Sequence, residues 1–387
     1  MNKHDGPGPL APLIRTSHVI VCCGTGGVGK TTTAAALGLA AARAGRRTVV
    51  ITIDPARRLA NALGLDNLGL DPTPVALPGK RTPGELWAMM LDARAQFDQL
   101  VEREAPRPEQ AKRILANPFY RKIADTLSGT QEYMAVEVLH DLLRHDPPFD
   151  VIIVDTPPTR NALAFLDAPG RLITLLDNPV FRALMTPTRA GLRVAGAATQ
   201  LVLRSLGNVV GGAVVSDTIS FFQAFAGMEQ GFRRRANATL AALHEQTTAW
   251  VLVTTPHPDA LEETMFLADQ LKARGLRVSA VVANRIAPTF SPVPGRLTMK
   301  GGTAAARNAR DALNALRDAA EASSIEAEQG NERLRTLTDR FAPSCEIARV
   351  PLLANDVHDL SALEHIAQAL AGTPARSRRL PPRADVG

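Results

Sequence analysis

Aromatic side chains are scarce in this 387-residue chain, at 4% of the sequence with only two Trp and two Tyr. That argues against the stacked aromatic platforms on which proteins lay single-stranded nucleic acid, and no nucleic-acid partner is expected. Cysteine is scarcer still. Three residues, Cys22, Cys23 and Cys345, cannot build a disulfide framework, which suits a reduced, cytoplasmic setting. No uncharged apolar run approaches the ~20 residues of a membrane-spanning helix. The richest apolar region, Val194 to Met228, is interrupted by Arg204, Asp217 and several glycines. The opening MNKHDGPGPLAPLIRTSH lacks the apolar core of a signal peptide. No internal repeat of fixed period is visible. The net charge of +6 is partly contributed by the Arg-rich stretch from Arg376 to Arg383, so it does not mark a basic binding face.

What the sequence does have is a hydrophobic content of 45%, enough for a substantial core, and one dominant motif. Val19 to Leu39 reads VIVCCGTGGVGKTTTAAALGL and contains G-x-x-x-x-G-K-[ST] as Gly24, Gly29, Lys30 and Thr31. An apolar run precedes it and an Ala/Leu-rich helical pattern follows, the strand–loop–helix setting of a phosphate-binding loop. Glycine lets such a loop turn its backbone N–H groups inward onto phosphate oxygens, and the helix N-terminus adds its positive dipole end. The candidate nucleotide-binding residues are therefore Gly24, Thr25, Gly26, Gly27, Val28, Gly29, Lys30, Thr31 and Thr32. Lys30 is expected on the β- and γ-phosphates and the Thr31 hydroxyl on Mg²⁺.

Strands are predicted at His18–Cys23, Thr48–Ile53, Leu86–Leu91, Val151–Val154, Trp250–Thr254, Val278–Ala283 and Ile347–Val350, several of them continuous apolar runs that suit strands buried on both faces. Helical patterns alternate with them, which implies an α/β fold with a doubly wound, mostly parallel sheet. Helices are expected at Thr33–Ala44, Thr303–Arg340 and Ser361–Ala371. Residues 92–143 and 171–243 read as helical insertions within an ATPase domain spanning 17–372, flanked by a loose N-terminus (1–16) and a disordered basic tail (373–387). Ligands of such sheets bind at the carboxyl ends of the strands. The phosphate loop, Asp54, Asp155 and Asn284 all fall at strand ends.

Asp155 closes VIIVD, and a carboxylate there is placed to hold Mg²⁺ directly or through water; the competing reading is a helix N-cap. Asp54 closes VITID and is placed to orient an attacking water, with capping of the next helix through Pro55 as the alternative. Thr31, Asp54 and Asp155 form the candidate magnesium side, and Lys30 and Asp54 the candidate catalytic pair. Asn284, after VVA, is either a turn residue or a ligand contact. Phe221, Phe222, Phe225 and Met228 fall at helical spacing, which favours core packing over a client groove.

The phosphate loop, TIDPARRL and VDTPPTRNAL together resemble the three nucleotide motifs of the arsenical-pump ATPase family, which includes the ATPases that target tail-anchored membrane proteins. The resemblance implies a P-loop fold with a helical subdomain, Mg²⁺-dependent ATP hydrolysis, dimers that sandwich nucleotide, and a protein or membrane-protein client. It implies that Asp54 lies in a first switch, that Asp155 to Thr159 form a second switch sensing the γ-phosphate, that Asn284 contacts adenine, and that Pro351 and Leu352 lie against the base. Two departures stand out. Thr25 replaces the lysine by which each family member reaches its partner's nucleotide, a deviant Walker A, and Arg57 replaces a histidine in the first switch. The first departure favours a heterodimer with a lysine-bearing paralogue or a pseudo-enzyme subunit, unless Arg57 or Arg58 supplies the charge. A partition or septum-positioning ATPase is a further alternative. Without Cys pairs, neither zinc nor an arsenite response is expected.

Overall fold

The computed structural model describes residues 6–53, 58–77, 83–120, 130–179, 182, 212–290, 303–341 and 345–372. Asp54, Pro55, Ala56 and Arg57, most of the loop between Pro288 and Gly302, and the basic tail lie outside these residues.

Strands β1 (Val19–Cys23), β2 (Arg47–Thr52), β3 (Thr73–Pro74), β4 (Glu85–Met90), β5 (Val151–Asp155), β6 (Thr248–Thr254), β7 (Val278–Ile286) and β8 (Glu346–Pro351) form one sheet in the order β3-β4-β2-β5-β1-β6-β7-β8. All neighbours pair in parallel except β3 and β4. The helices are α1 (Ala11–Thr16), α2 (Lys30–Arg43), α3 (Arg58–Leu63), α4 (Ala93–Glu104), α5 (Pro108–Ala116), α6 (Thr130–Leu143), α7 (Thr159–Asp177), α8 (Gly212–Phe225), α9 (Glu229–His244), α10 (Pro258–Ala273), α11 (Ala304–Phe341) and α12 (Leu360–Ala371). No helix among the described residues is long and apolar enough to cross a membrane.

The central strands are largely apolar because both faces are covered. Val19, Val21 and Cys23 join Val49, Ile51 and Val154 in a core that continues into α4 to α9. Ile20 and Cys22 point the other way, with Val50, Ile153 and Val253, against α2 and α12. The fold is thus the expected doubly wound α/β sheet. Its rims are short or interrupted. β3 has two residues and includes Pro74, and β8 alternates exposed and covered residues and ends in Pro351.

Three segments differ from the sequence reading. The N-terminal stretch expected to be loose contains α1, whose Leu10 and Ile14 are buried; Gly8 N donates to Ala371 O at 2.8 Å and ties it to α12. Leu10 and Ile14, four residues apart and so on one face of the turn, join the core against α2 and α12. β3 falls where the sequence predicts no strand. The second insertion, read from Arg171, begins earlier, since α7 runs from Thr159 to Asp177 straight through Pro169 and Gly170.

The helices beside the sheet are held by an aromatic cluster and an ion network. Phe221 and Phe225 are buried and Phe221 stacks on Tyr120, so this quartet packs as core; Phe225 in turn stacks on Phe232. Arg235 of α9 is 9% exposed and binds Glu137 of α6 and Glu104 of α4, both at 2.6 Å. Burial pushes the Glu137 carboxyl up, whereas Glu104 sits lower because Arg235 and Arg103 outweigh its partial burial. Breaking such a buried pair from one side leaves an uncompensated charge.

Candidate functional site

β1 ends at Cys23 and α2 begins at Lys30, so Gly24 to Gly29 form the loop between them. Gly29 caps the helix in the left-handed conformation (φ 92°), and Gly27 is also left-handed (φ 79°). A Cβ on Gly24 would stand 2.2 Å from Val253 O, and one on Gly29 2.3 Å from Asn284 Nδ2. The loop therefore needs glycine for both conformation and space. Gly29→Ala is expected to displace the Asn284 amide and strain the cap, at a cost of about 1–2 kcal/mol from the left-handed backbone alone. Thermal unfolding and ATP titration together check this; unchanged values in both would refute it.

Lys30 is buried, with Nζ donating to Thr25 O at 2.8 Å, so the ammonium folds back over the loop that precedes it. Thr31 Oγ1 donates to Asp155 Oδ2 at 2.7 Å. Thr52 Oγ1 donates to the same oxygen at 2.9 Å. The sheet register creates this convergence, because Asp155 is level with Cys22 of β1 and with Thr52 of β2. Asp155 is completely buried, and the next residue is fixed by Thr156 Oγ1 donating to Cys22 O at 2.8 Å. Asp155 thus ends a strand and accepts from two hydroxyls, while α7 starts only at Thr159, so it does not cap that helix. Hydroxyl and carboxylate oxygens are hard donors, suited to Mg²⁺.

The peptide before Asp54 is gripped from two sides. Ile53 N donates to Asp155 O at 3.0 Å, and the Gln131 side-chain amide donates to Ile53 O. Gln131 lies in the first turn of α6. Arg58, the alternative charge donor, begins α3.

Asn284 is 8% exposed, and its Nδ2 donates to Val28 O at 2.8 Å, so the end of β7 holds the phosphate loop. Its Oδ1 accepts from Arg285 N at 2.9 Å, and Arg285 is the one non-glycine residue with positive φ (57°) among the described residues. Beside it opens a cavity of ≈ 580 Å³, lined by Thr25 to Val28, Pro256, His257, Asp259, Glu263, Arg285, Arg333 and Leu352. Leu352 N donates to Ile286 O at 2.8 Å, which sets the turn after Pro351 against the same strand end. The structure brings Lys30, Thr31 and Asp155 together on one side of the loop residues and Asn284 and Leu352 on another. Thr32 is half-buried in the first turn of α2.

Sequence reading did not single out Thr52, although it lies within the same run, Thr48–Ile53, that points to Asp54. It also passed over Asp259, Glu263, Arg285 and Arg333, whose shared cavity depends on packing between segments distant in sequence. The cysteines of β1 are core residues. Burial pushes the Cys23 thiol up to about 12 and raises Cys22 as well, aided there by the Asp155 charge, so neither is a ready thiolate ligand.

Several known sequences are similar to this chain. An uncharacterized protein of Streptomyces coelicolor is 30% identical over 276 residues, covering 71% of this chain and 64% of its own length. The ATPase GET3 of Malassezia globosa is 24% identical over 352 residues, 91% of this chain and 90% of that protein. The ATPase ARSA1 of Chlamydomonas reinhardtii is 26% identical over 361 residues, 86% of this chain but 41% of its own. The sequence model of the anion-transporting ATPase family matches residues 17–292, the stretch that carries the phosphate loop, Asp155 and Asn284, and the chain belongs to that family.

Proposed function

We propose that this protein is a Mg²⁺-dependent ATPase that hydrolyses ATP to ADP and phosphate and couples the cycle to a protein or membrane-protein partner. The observation that carries this reading is the meeting of Thr31, Thr52 and Asp155 on one carboxylate oxygen, at 2.7 and 2.9 Å, beside the buried Lys30. Lys30 binds the β- and γ-phosphates, and the glycine loop supplies backbone N–H donors. Thr31 and Asp155 hold Mg²⁺, which when bound neutralises charge on the transferring phosphoryl group. Asp54 orients the attacking water, and Asn284, Pro351 and Leu352 form the base side. The names of the relatives, ATPase GET3 and ATPase ARSA1, support hydrolysis as the activity.

Thr25 favours a particular assembly, a nucleotide-sandwich dimer with a paralogue that bears lysine at this position. This chain then hydrolyses its own nucleotide with the partner's lysine in place. Phosphate release by the purified chain, with Mg²⁺ and with EDTA, tests the activity. Thr25→Lys is expected to raise single-chain turnover about 10-fold or more, on the scale of one aimed charge in phosphoryl transfer. Brisk Mg²⁺-dependent turnover that Thr25→Lys leaves unchanged would remove the heterodimer and leave self-sufficiency. No phosphate release with any paralogue would leave nucleotide binding alone.

A further inference from the structure

α11 is 38 residues long, yet only its second half is built into the body of the protein, through Ala327, Gly330, Leu334 and Leu337. Past Ala327 the alternating spacing of three and four residues passes through the polar Ser323, and an apolar stripe then resumes toward the amino end through Ala320, Leu316, Leu313 and Ala309. A 3-4 spacing is the signature of a helix face that packs along another helix. In this half the stripe is bare, with Leu313 53% and Leu316 67% exposed.

We propose that the amino-terminal half of α11 pairs antiparallel with the same segment of a second copy of this chain. The sequence of the stripe reads the same in both directions. Ala309, Leu313, Leu316 and Ala320 are spaced four, three and four residues apart, in the order Ala-Leu-Leu-Ala. A two-fold axis passing between Asn314 and Ala315 sets Leu313 of one copy against Leu316 of the other. It sets Ala309 against Ala320, so large meets large and small meets small. One edge of the stripe is Ala305, Ala312 and Ala319, and antiparallel pairing places this edge against itself, where the helices can approach closely. The other edge carries Arg310 and Arg317, each bound to its own neighbour, Asp311 at 2.8 Å and Asp318 at 2.9 Å. Antiparallel pairing brings the Arg310–Asp311 pair beside the Arg317–Asp318 pair of the second copy, a cluster with two charges of each sign. Parallel pairing sets this charged edge against alanines and gives it no counter-charge. The seam is short, so the association is expected at micromolar concentration, at the small end of specific interfaces.

This contact does not depend on the nucleotide reading, and its test uses the full chain without nucleotide. Sedimentation equilibrium is expected to find a reversible dimer. The double variant Leu313→Asp/Leu316→Asp, which alters only exposed side chains and leaves the circular dichroism unchanged, is expected to weaken dimerisation at least ~30-fold. Arg310→Glu/Arg317→Glu, which leaves acids alone on the charged edge, is expected to weaken it as well. Spin labels at Ala315→Cys lie near the two-fold axis and give a short distance between copies. Labels at Arg307→Cys lie about 20 Å farther apart along the helix axis, from a rise of 1.5 Å per residue. A monomer at every concentration, or a dimer indifferent to both variants, would overturn the proposal. Equal distances at both labels would mean parallel pairing and overturn it too. A monomer that instead captures an amphipathic helical peptide through Leu313 and Leu316 would assign the face to a different partner.

Discussion

Lys30→Ala is expected to lower affinity for Mg²⁺-ATP by about 100-fold or more, the scale of losing charge-assisted bonds to two phosphate groups. The same change in the nucleotide-free protein removes the bond from Nζ to Thr25 O, an interaction local to the loop. The two effects therefore separate. Isothermal titration reads the affinity, and thermal unfolding without nucleotide reads the fold, which is expected to change little. If the variant unfolds normally and binds ATP as the parent does, Lys30 is not a phosphate ligand and the loop reading fails. Lys30→Arg keeps the charge but enlarges the head, and the buried position predicts that it does not restore full affinity.

Asp155→Asn is expected to reduce Mg²⁺-dependent turnover by about 100- to 1000-fold, the range found when one preorganised electrostatic group is removed from an active site. Asparagine keeps the volume of a fully buried side chain and one acceptor oxygen, so Thr31 and Thr52 retain a partner if the amide is turned toward them with that oxygen. The negative charge is what is lost. Nucleotide binding in EDTA is expected to survive, while the gain in affinity on adding Mg²⁺ disappears. An Asp155→Asn protein that hydrolyses ATP at the parent rate would place the metal elsewhere. Asp54→Asn gives the complementary pattern, with kcat lowered and affinity kept, because a group that orients water acts mainly in the transition state.

The site's phosphate side was legible in sequence because local spacing carries it. Gly24, Gly29, Lys30 and Thr31 lie within one loop, and Asp155 ends a strand whose apolar run announces itself. The pinning of that loop was not legible, since Asn284 reaches Val28 O across 256 residues and only the register of β6 and β7 brings them together. Thr52 was missed for a similar reason, because its partner on β5 is set by strand pairing rather than by motif. Among the elements, β3 is two residues long and too short to show alternation. α7 was misjudged at its start because Pro169-Gly170 is a usual stop signal, here overridden by the burial of Phe165, Leu166 and Leu176 around it. The Arg235–Glu137–Glu104 network joins three helices and has no local signature at all.

The rims of the sheet bear on how this protein behaves when crowded. An open sheet invites other chains to extend it wherever a long, flat rim leaves its peptide groups unpaired. Here one rim is a two-residue strand that contains Pro74, and the other carries Glu346 and Arg349 outward and stops at Pro351. Proline offers no peptide hydrogen to an incoming strand, and the charges oppose a dry junction. Runaway templating of fibrils is thus discouraged at both ends of the sheet, and concentrated solutions are expected to stay free of β-rich aggregates while the native fold holds.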